Sequence, residues 1–247
     1  MITLNTILYE GNFDDFLVKN CWFFTLKSEF ITNKLLTINN LTSINRFNEK
    51  IEELKKLYSF DIVYVSDHKE SVNNIYNLNM VESTIGYFYT IPYFVAINTI
   101  KSDFILNVAS DCMGDIFMDD NFLSLGMDEI NNNPLCSTVM LPWVKDNQIL
   151  ANGVTIGQHE QKGTTDKSGS ENFNYTKGFT DQFFMGNINK LKSIDYNLPL
   201  TYSSTYHGPS YGGNCFEKRM VANQNYENIY NCIFKGNQYY IHDNNYH

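Results

Sequence analysis

A chain of 247 residues with 43% hydrophobic and 15% aromatic residues can build a globular core, which argues against general disorder. Its formal net charge of -9 makes nucleic acid a poor partner, because phosphate binding requires a basic face. The start of the sequence lacks the basic region and long apolar core of a signal peptide, no apolar run is long enough to span a membrane, and the five cysteines form no Cys-x-x-Cys pair. We therefore expect a cytoplasmic protein without a transmembrane segment, a zinc site or a disulfide framework.

In chain order, the first half of the sequence alternates predicted strands with predicted helices. The predicted strands are residues 2–8, 34–40, 61–65 and 104–109. Three helices are predicted: one begins near residue 16, one covers residues 46–58 and one covers residues 87–100. Each of these strands ends in a cluster of polar residues. The alternation predicts an α/β fold with an open, mostly parallel sheet, flanking helices and a Rossmann-like ligand crevice at the carboxyl ends of the strands.

The most apolar of these strands, residues 104–109, is followed at once by Ser110 and Asp111. Consecutive apolar residues, instead of alternating ones, indicate a strand that is buried on both faces. A carboxylate at the carboxyl end of such a strand lies where open α/β sheets bind ligands. Asp111 is therefore a candidate ligand-binding residue, although aspartates at strand ends also cap turns.

Other polar residues follow the first and third predicted strands. Thr6, Tyr9 and Glu10 lie at the end of the first strand, where they could cradle a nucleotide base, with Tyr9 stacking on it. Asp67 follows the third strand and could accept a hydrogen bond from a base or a ribose. A purely structural role is the alternative for each of them, and the sequence leaves both interpretations open.

The second half of the chain has a different pattern. We predict a partly helical segment over 118–131, a strand over 137–143, apolar structure over 178–186, helices over 188–194 and from residue 215, and a strand over 237–242. Residues 151–178 are rich in Gly, Asn, Thr, Ser and Lys, which predicts a mobile loop or lid. No internal repeat is visible, so we expect one domain over residues 1–247.

Three short segments carry a family resemblance. Residues 96–111 form the predicted helix, turn and strand that end in Ala109-Ser110-Asp111, residues 179–186 read Phe-Thr-Asp-Gln-Phe-Phe-Met-Gly, and residues 216–218 read Phe-Glu-Lys. Together they resemble the GT-A fold glycosyltransferases that use nucleotide sugars, in particular the capsule and lipopolysaccharide members. The central strand of that family commonly ends in Asp-x-Asp, and here Ala109 occupies the first acidic position.

The resemblance implies a hexosyltransferase-like enzyme that moves a sugar from a UDP- or GDP-sugar to a hydroxyl of a glycan or glycoconjugate in polysaccharide biosynthesis. It assigns about residues 1–117 to binding of the nucleotide donor and about residues 118–247 to binding of the acceptor. If the acceptor is anchored in a membrane, the protein would contact that membrane only peripherally. It implies that Ser110 and Asp111 contact the donor and that Asp111 holds Mn²⁺ or Mg²⁺ against its pyrophosphate. His207, in a glycine-rich loop, is a further candidate metal ligand.

Such a transfer also needs a carboxylate that takes the proton from the acceptor hydroxyl. Glu217 and Asp181 are the candidates, because each lies where a loop leads into a predicted element of the second half. We prefer Glu217 as the base of an inverting transfer, since the start of a helix gives it a rigid mount. We expect Asp181 to orient the acceptor or the donor sugar.

Two other functional classes lack their motifs in this sequence, and a third stays open. A nucleotidyltransferase would need a glycine-rich loop with Arg and Lys after the first strand, whereas residues 9–12 offer one glycine and no basic residue. An aspartyl-phosphate phosphatase would need an Asp-x-Asp-x-Thr motif after its first strand, and the sequence has none there. A non-catalytic carbohydrate- or nucleotide-binding domain stays open, because 17 tyrosines and many asparagines suit sugar stacking and hydrogen bonding.

Overall fold

A computed structural model describes residues 1–9, 26–39, 44–78, 85–110, 112–117, 119–145, 169–203, 215–236 and 238–242. Its strands are β1 (Ile2–Tyr9), β2 (Ile31–Asn39), β3 (Asp61–Tyr64), β4 (Phe104–Val108), β5 (Cys112–Phe117), β6 (Cys136–Met140), β7 (Trp143–Lys145), β8 (Phe173–Thr176), β9 (Phe183–Asn187), β10 (Tyr230–Phe234) and β11 (Tyr239–His242). Its α-helices are α1 (Ile44–Leu57), α2 (Val65–Ile75), α3 (Ile85–Phe88), α4 (Ile91–Thr99), α5 (Asp120–Asn132), α6 (Ile188–Ser193) and α7 (Phe216–Glu227). Among these helices, none is long and apolar enough to cross a membrane.

The larger of two sheets has eight strands in the order β3-β2-β1-β4-β9-β6-β10-β8. The first four strands of this order pair in parallel. β9 pairs antiparallel with both β4 and β6, so β6 and β10 run in the same direction as β4, while β8 closes the sheet antiparallel to β10. The sheet is therefore open and mostly parallel, which confirms the α/β fold class predicted from the sequence.

Helices cover both faces of this sheet. All five residues of β4 are buried. Leu106 belongs to a core cluster with residues of α1 and α5, whereas its neighbour Ile105 belongs to a second cluster with residues of α2, α4, α6 and α7. Successive side chains of a strand point to opposite faces, so a strand covered on both sides needs apolar residues at consecutive positions. This explains the apolar run that marks β4 in the sequence.

The smaller sheet has the order β5-β11-β7 and packs against the larger one. Tyr240 of β11 is 1% exposed, and its ring stacks on Phe183 of β9 with centroids 5.3 Å apart. The closing strand predicted over 237–242 is thus present as β11 and is tied into the core. β5 was not predicted from the sequence.

The end of β3 differs from the prediction. The strand stops at Tyr64 and α2 begins at Val65, so Asp67 lies in the first turn of a helix and not in a loop after the strand. A carboxylate in the first turn interacts favourably with the positive end of the helix dipole. The helix itself therefore accounts for an acidic residue at this position.

The predicted loop over 151–178 is also partly wrong. Residues 173–176 form β8, in which Phe173 is buried against Phe234 of β10 with ring centroids 5.5 Å apart. β8 pairs with β10, a strand that was not predicted from the sequence. The polar composition of the segment did not indicate that it has a partner strand. Residues 151–168 and the predicted helix near residue 16 lie outside the described residues.

Candidate active site

The candidate site lies where β4 ends and β9 begins. These strands are antiparallel, with Val108 paired to Phe183, so the chain leaving β4 meets the chain entering β9 at one edge of the sheet. The amide of Ala109 donates a hydrogen bond to the carbonyl oxygen of Gln182 over 2.7 Å. The same edge collects the carboxyl ends of β1, β2 and β3, and it is the edge at which open α/β sheets bind ligands.

Asp181 and Glu217 meet at this edge. Glu217 lies in the first turn of α7, and the backbone N–H of Asp181 donates to its Oε1 over 3.1 Å. Burial raises the pKa of Glu217 well above its usual range, and the charge of Asp181 and a hydrogen bond between the two side chains raise it further. Each ionised carboxyl group opposes ionisation of the other, so the pair retains a proton at a pH at which an exposed glutamate is ionised. The two candidate bases named from the sequence therefore form one unit.

Two buried tyrosines line the pair. The hydroxyl of Tyr93 in α4 donates to the carbonyl oxygen of Asp181 over 3.4 Å, and the hydroxyl of Tyr240 donates to Oε1 of Gln182 over 3.3 Å. Burial, followed by the charge of Asp181, raises the pKa of Tyr93, and burial likewise raises the pKa of Tyr240. Both phenols are therefore neutral donors at ordinary pH.

An aromatic pair lies at the end of β1. Tyr9 is half-buried, and its ring centroid lies 5.4 Å from that of Tyr89, which is 41% exposed. The side chain of Asn39, at the end of β2, donates to the carbonyl oxygen of Phe88 over 2.8 Å and so anchors the segment that carries Tyr89. Sequence analysis identified Tyr9 and missed Tyr89, although the run Tyr87-Phe88-Tyr89 is a visible aromatic signal.

The other residues predicted to bind the nucleotide donor lie in different parts of the sheet. Thr6 is fully buried, and its hydroxyl donates to the carbonyl oxygen of Val108 over 2.5 Å, so its side chain ties β1 to β4 inside the sheet. Ser110 is 2% exposed at the end of β4. Asp67 is exposed beyond the edge strand β3, which β2 and β1 separate from β4, and it accepts a hydrogen bond from Ser66.

Three predicted site residues, Glu10, Asp111 and His207, lie outside the described residues. The amide of Cys112, the first residue of β5, donates to the carbonyl oxygen of Ala109 over 3.1 Å. Within the described part of the chain, no group of three or more His, Cys, Asp or Glu side chains could hold a metal ion. The metal ligands named from the sequence thus remain predictions.

Solved structures share this fold. S. aureus TarS residues 1–349 match with a TM-score of 0.54 and 13% identity over 98% of this chain and 60% of that one, and TarS has also been solved with UDP-GlcNAc. Mouse xyloside xylosyltransferase 1 matches with a TM-score of 0.50 and 11% identity over 92% of this chain and 82% of that one. GalNAc-T7 with UDP, GalNAc and Mn²⁺ matches with a TM-score of 0.54 and 7% identity over 98% of this chain and 43% of that one.

These neighbours are GT-A glycosyltransferases, so the chain has a GT-A fold, as the three sequence segments implied. The chain spans 60% of the length of TarS 1–349, so activities of that longer protein do not transfer directly. No protein-family model and no curated protein sequence matches this chain. The likeness is therefore one of fold, and function must be argued from the site.

Proposed function

We propose that this protein is a glycosyltransferase that moves a sugar from a nucleoside diphosphate sugar to a hydroxyl of a glycan or glycoconjugate. The observation that carries the proposal is the contact between Asp181 and Glu217 at the ligand edge of a GT-A sheet. A binding domain has no need of two half-buried carboxyl groups in contact, because each opposes ionisation of the other. A transferase uses one carboxylate of such a pair to accept the proton of the acceptor hydroxyl.

The donor occupies the strand ends in this proposal. The base stacks on the aromatic pair Tyr9 and Tyr89, and the pyrophosphate lies near Ser110 and Asp111 at the end of β4. GalNAc-T7 has been solved with Mn²⁺, and Asp111 with His207 would hold such an ion here. A divalent cation supplies neutralisation of the charge that develops on the leaving diphosphate.

The acceptor hydroxyl approaches the carboxyl pair. Its oxygen forms a bond to the anomeric carbon while the bond from that carbon to the diphosphate breaks, and the diphosphate leaves with the electron pair. Glu217, in its ionised form, takes the hydroxyl proton. The raised pKa makes this carboxylate a stronger base than an exposed one. Asp181 orients Glu217 and the incoming hydroxyl, and the transfer inverts the configuration of the anomeric carbon.

The test is a panel of UDP- and GDP-sugars assayed for donor hydrolysis and for transfer, with Mn²⁺ and with EDTA. We expect one donor class to turn over, and Glu217→Gln to lower kcat by roughly 10²-fold or more, the range that general bases contribute. Glu227→Gln, an exposed change at the other end of α7, is the matched control and should act like the wild type.

Nucleotide binding without any turnover, in every donor and metal condition, would instead support a non-catalytic binding domain. Equal kcat values for Glu217→Gln and Glu227→Gln would remove the base assignment even if the wild type is active.

A further inference from the structure

A chain of buried hydrogen bonds crosses three strands and ends at the carboxyl pair. The hydroxyl of Thr37 in β2 donates to Oδ1 of Asn5 in β1 over 2.8 Å, and Nδ2 of Asn5 donates to Oδ1 of Asn107 in β4 over 2.8 Å. Nδ2 of Asn107 then donates to the carbonyl oxygen of Asp181 over 2.8 Å. Thr37, Asn5 and Asn107 are all 0% exposed.

The direction of this chain is fixed by its last member. A backbone carbonyl can only accept, so Asn107 must turn its NH₂ group toward Asp181 and its oxygen toward Asn5. Asn5 must then present its own NH₂ group to Asn107, which leaves its oxygen for the hydroxyl of Thr37. Hydrogen bonds aligned head to tail polarise one another, so each strengthens the next in a buried setting.

The sheet does not require these side chains for its own pairing. Asn5 and Asn107 are paired in register on β1 and β4, whose backbone ladder already joins the strands. The next residues on the same face of these strands, Ile7 and Ile105, are buried and apolar, and apolar residues would fill the positions of the two amides without burying polar groups. Sheet pairing therefore does not explain this chain of hydrogen bonds, whose distinguishing feature is that it ends at Asp181.

Asp181 is held on both sides. Its N–H bonds Oε1 of Glu217, and its carbonyl oxygen accepts from Asn107 over 2.8 Å and from Tyr93 over 3.4 Å. We propose that Asn107, backed by Asn5, is a positioning residue that fixes the backbone of Asp181 and so keeps its N–H on the carboxyl group of Glu217. The catalytic meaning of this proposal rests on the proposed function, whereas the positioning itself can be measured without turnover.

Loss of this positioning has a defined electrostatic consequence. The N–H of Asp181 favours the ionised form of Glu217, in opposition to burial and to the charge of Asp181. Among the described residues, the other titratable groups that interact with Glu217 are Tyr93 from α4, Tyr240 from β11 and Cys215 at the start of its own helix. Asn107 bonds the backbone of Asp181 and not its carboxyl group, so in this proposal its loss weakens the N–H bond more than the carboxyl contact and should raise the pKa of Glu217 further.

Two variants separate positioning from stability. Asn107→Leu removes the donor to Asp181 and leaves the amide of Asn5 buried without its acceptor, which destabilises the fold. The double variant Asn5→Leu/Asn107→Leu replaces both amides with apolar groups of similar shape and should regain most of that stability. The donor to Asp181 is absent from both variants. Thr37→Val removes only the far end of the chain and is the graded control.

The readouts are a carbon-13 NMR titration of the Glu217 carboxyl group and the steady-state kinetics of transfer. We expect a higher Glu217 pKa and a roughly 10-fold lower kcat in both Leu variants, with an unchanged KM for the donor, because small misplacements at a reacting centre cost up to about 10²-fold. Thr37→Val should shift both quantities in the same direction by less.

A double variant that regains stability, kcat and the wild-type Glu217 pKa together would make the amide chain purely structural and overturn the proposal. A Glu217 pKa that rises in the variants of a protein without any transfer activity would uphold the positioning and remove the proposed function alone.

Discussion

The two halves of the large sheet are built on different rules. In β3, β2, β1 and β4 all strands are parallel, so this half presents only carboxyl ends to the ligand edge. In the other half β9 reverses direction and brings the start of a strand to the same edge, next to the end of β4. Parallel strand ends thus provide a surface, whereas the reversal brings Asp181 to that surface, beside Glu217 of α7.

Each half also contributes one buried asparagine to the segment before β9. Asn107 of the parallel half donates to the carbonyl oxygen of Asp181, and Asn231 of the mixed half donates to the carbonyl oxygen of Gly178. Asn231 also exchanges hydrogen bonds with Gln224 of α7 and accepts them from two side chains of β6. The segment 178–182 is therefore held by both halves, and the two amides differ in how many partners they satisfy.

The largest effect on stability is expected at Asn231. Asn231→Leu leaves several partners in α7, β6 and the segment before β9 buried without a hydrogen bond, so the free energy of unfolding should fall by about 3 kcal/mol or more. Asn107→Leu, with fewer partners, should cost about 1–3 kcal/mol. Urea unfolding measures both free energies. Equal losses in the two variants would contradict the expectation that the mixed half holds residues 178–182 more strongly than the parallel half.

The next effect concerns the pH dependence of stability. Folded Glu217 keeps its proton above the ordinary glutamate pKa of about 4.3, at which the unfolded chain releases it. The folded state therefore binds more protons, so the free energy of unfolding falls as pH rises and stops falling above the raised pKa. Glu217→Gln removes this dependence of the free energy of unfolding on pH. The stability of the variant relative to the wild type should therefore increase as pH rises. Glu227→Gln is the control, and a stability difference between Glu217→Gln and the wild type that does not change with pH would contradict the raised pKa of Glu217.

The smallest effect is expected in the parallel half. Tyr89→Ala removes one ring of the aromatic pair, so the Kd for UDP or GDP should rise about 5-fold, equivalent to about 1 kcal/mol of stacking. The kcat at saturating donor should not change, because in the proposed function Tyr89 contacts the base of the donor and not the reacting atoms. Tyr226→Ala, which removes a tyrosine that is 55% exposed on α7, serves as the control for calorimetry. Unchanged nucleotide affinity in Tyr89→Ala would exclude stacking at this pair.

The same two halves differ in how much the sequence reveals. The parallel half was predicted because strand and helix alternate with local patterns, such as the consecutive apolar residues of β4. The mixed half was predicted less well, because β8 and β10 are short and become recognisable only as partners of each other. Asn228 lies in the left-handed region with φ of 55° at the end of α7, and an asparagine at such a position is a local signal of the turn that leads into β10.

The sequence indicated single residues of the site but not the contacts between them. Asp181 and Glu217 were both named, since loop-to-element boundaries are local features, but their contact spans 36 residues and depends on the reversal of β9. The buried amides Asn5 and Asn107 gave no signal, because a polar residue inside a strand does not reveal its partner across 102 residues. Long-range pairing is thus the part that the sequence alone could not supply.

The most direct test of the carboxyl pair is the pH dependence of kcat/KM for the acceptor in the wild type and in Asp181→Asn. This ratio reports the ionisation of the free enzyme. The rising limb of the wild-type profile should lie above the ordinary range of a glutamate pKa, because burial and the charge of Asp181 raise the pKa of Glu217. Asp181→Asn removes that charge while burial persists, so the limb should move to lower pH. A limb at the same pH in both proteins, or a wild-type profile that does not change with pH, would contradict a coupled pair as the base.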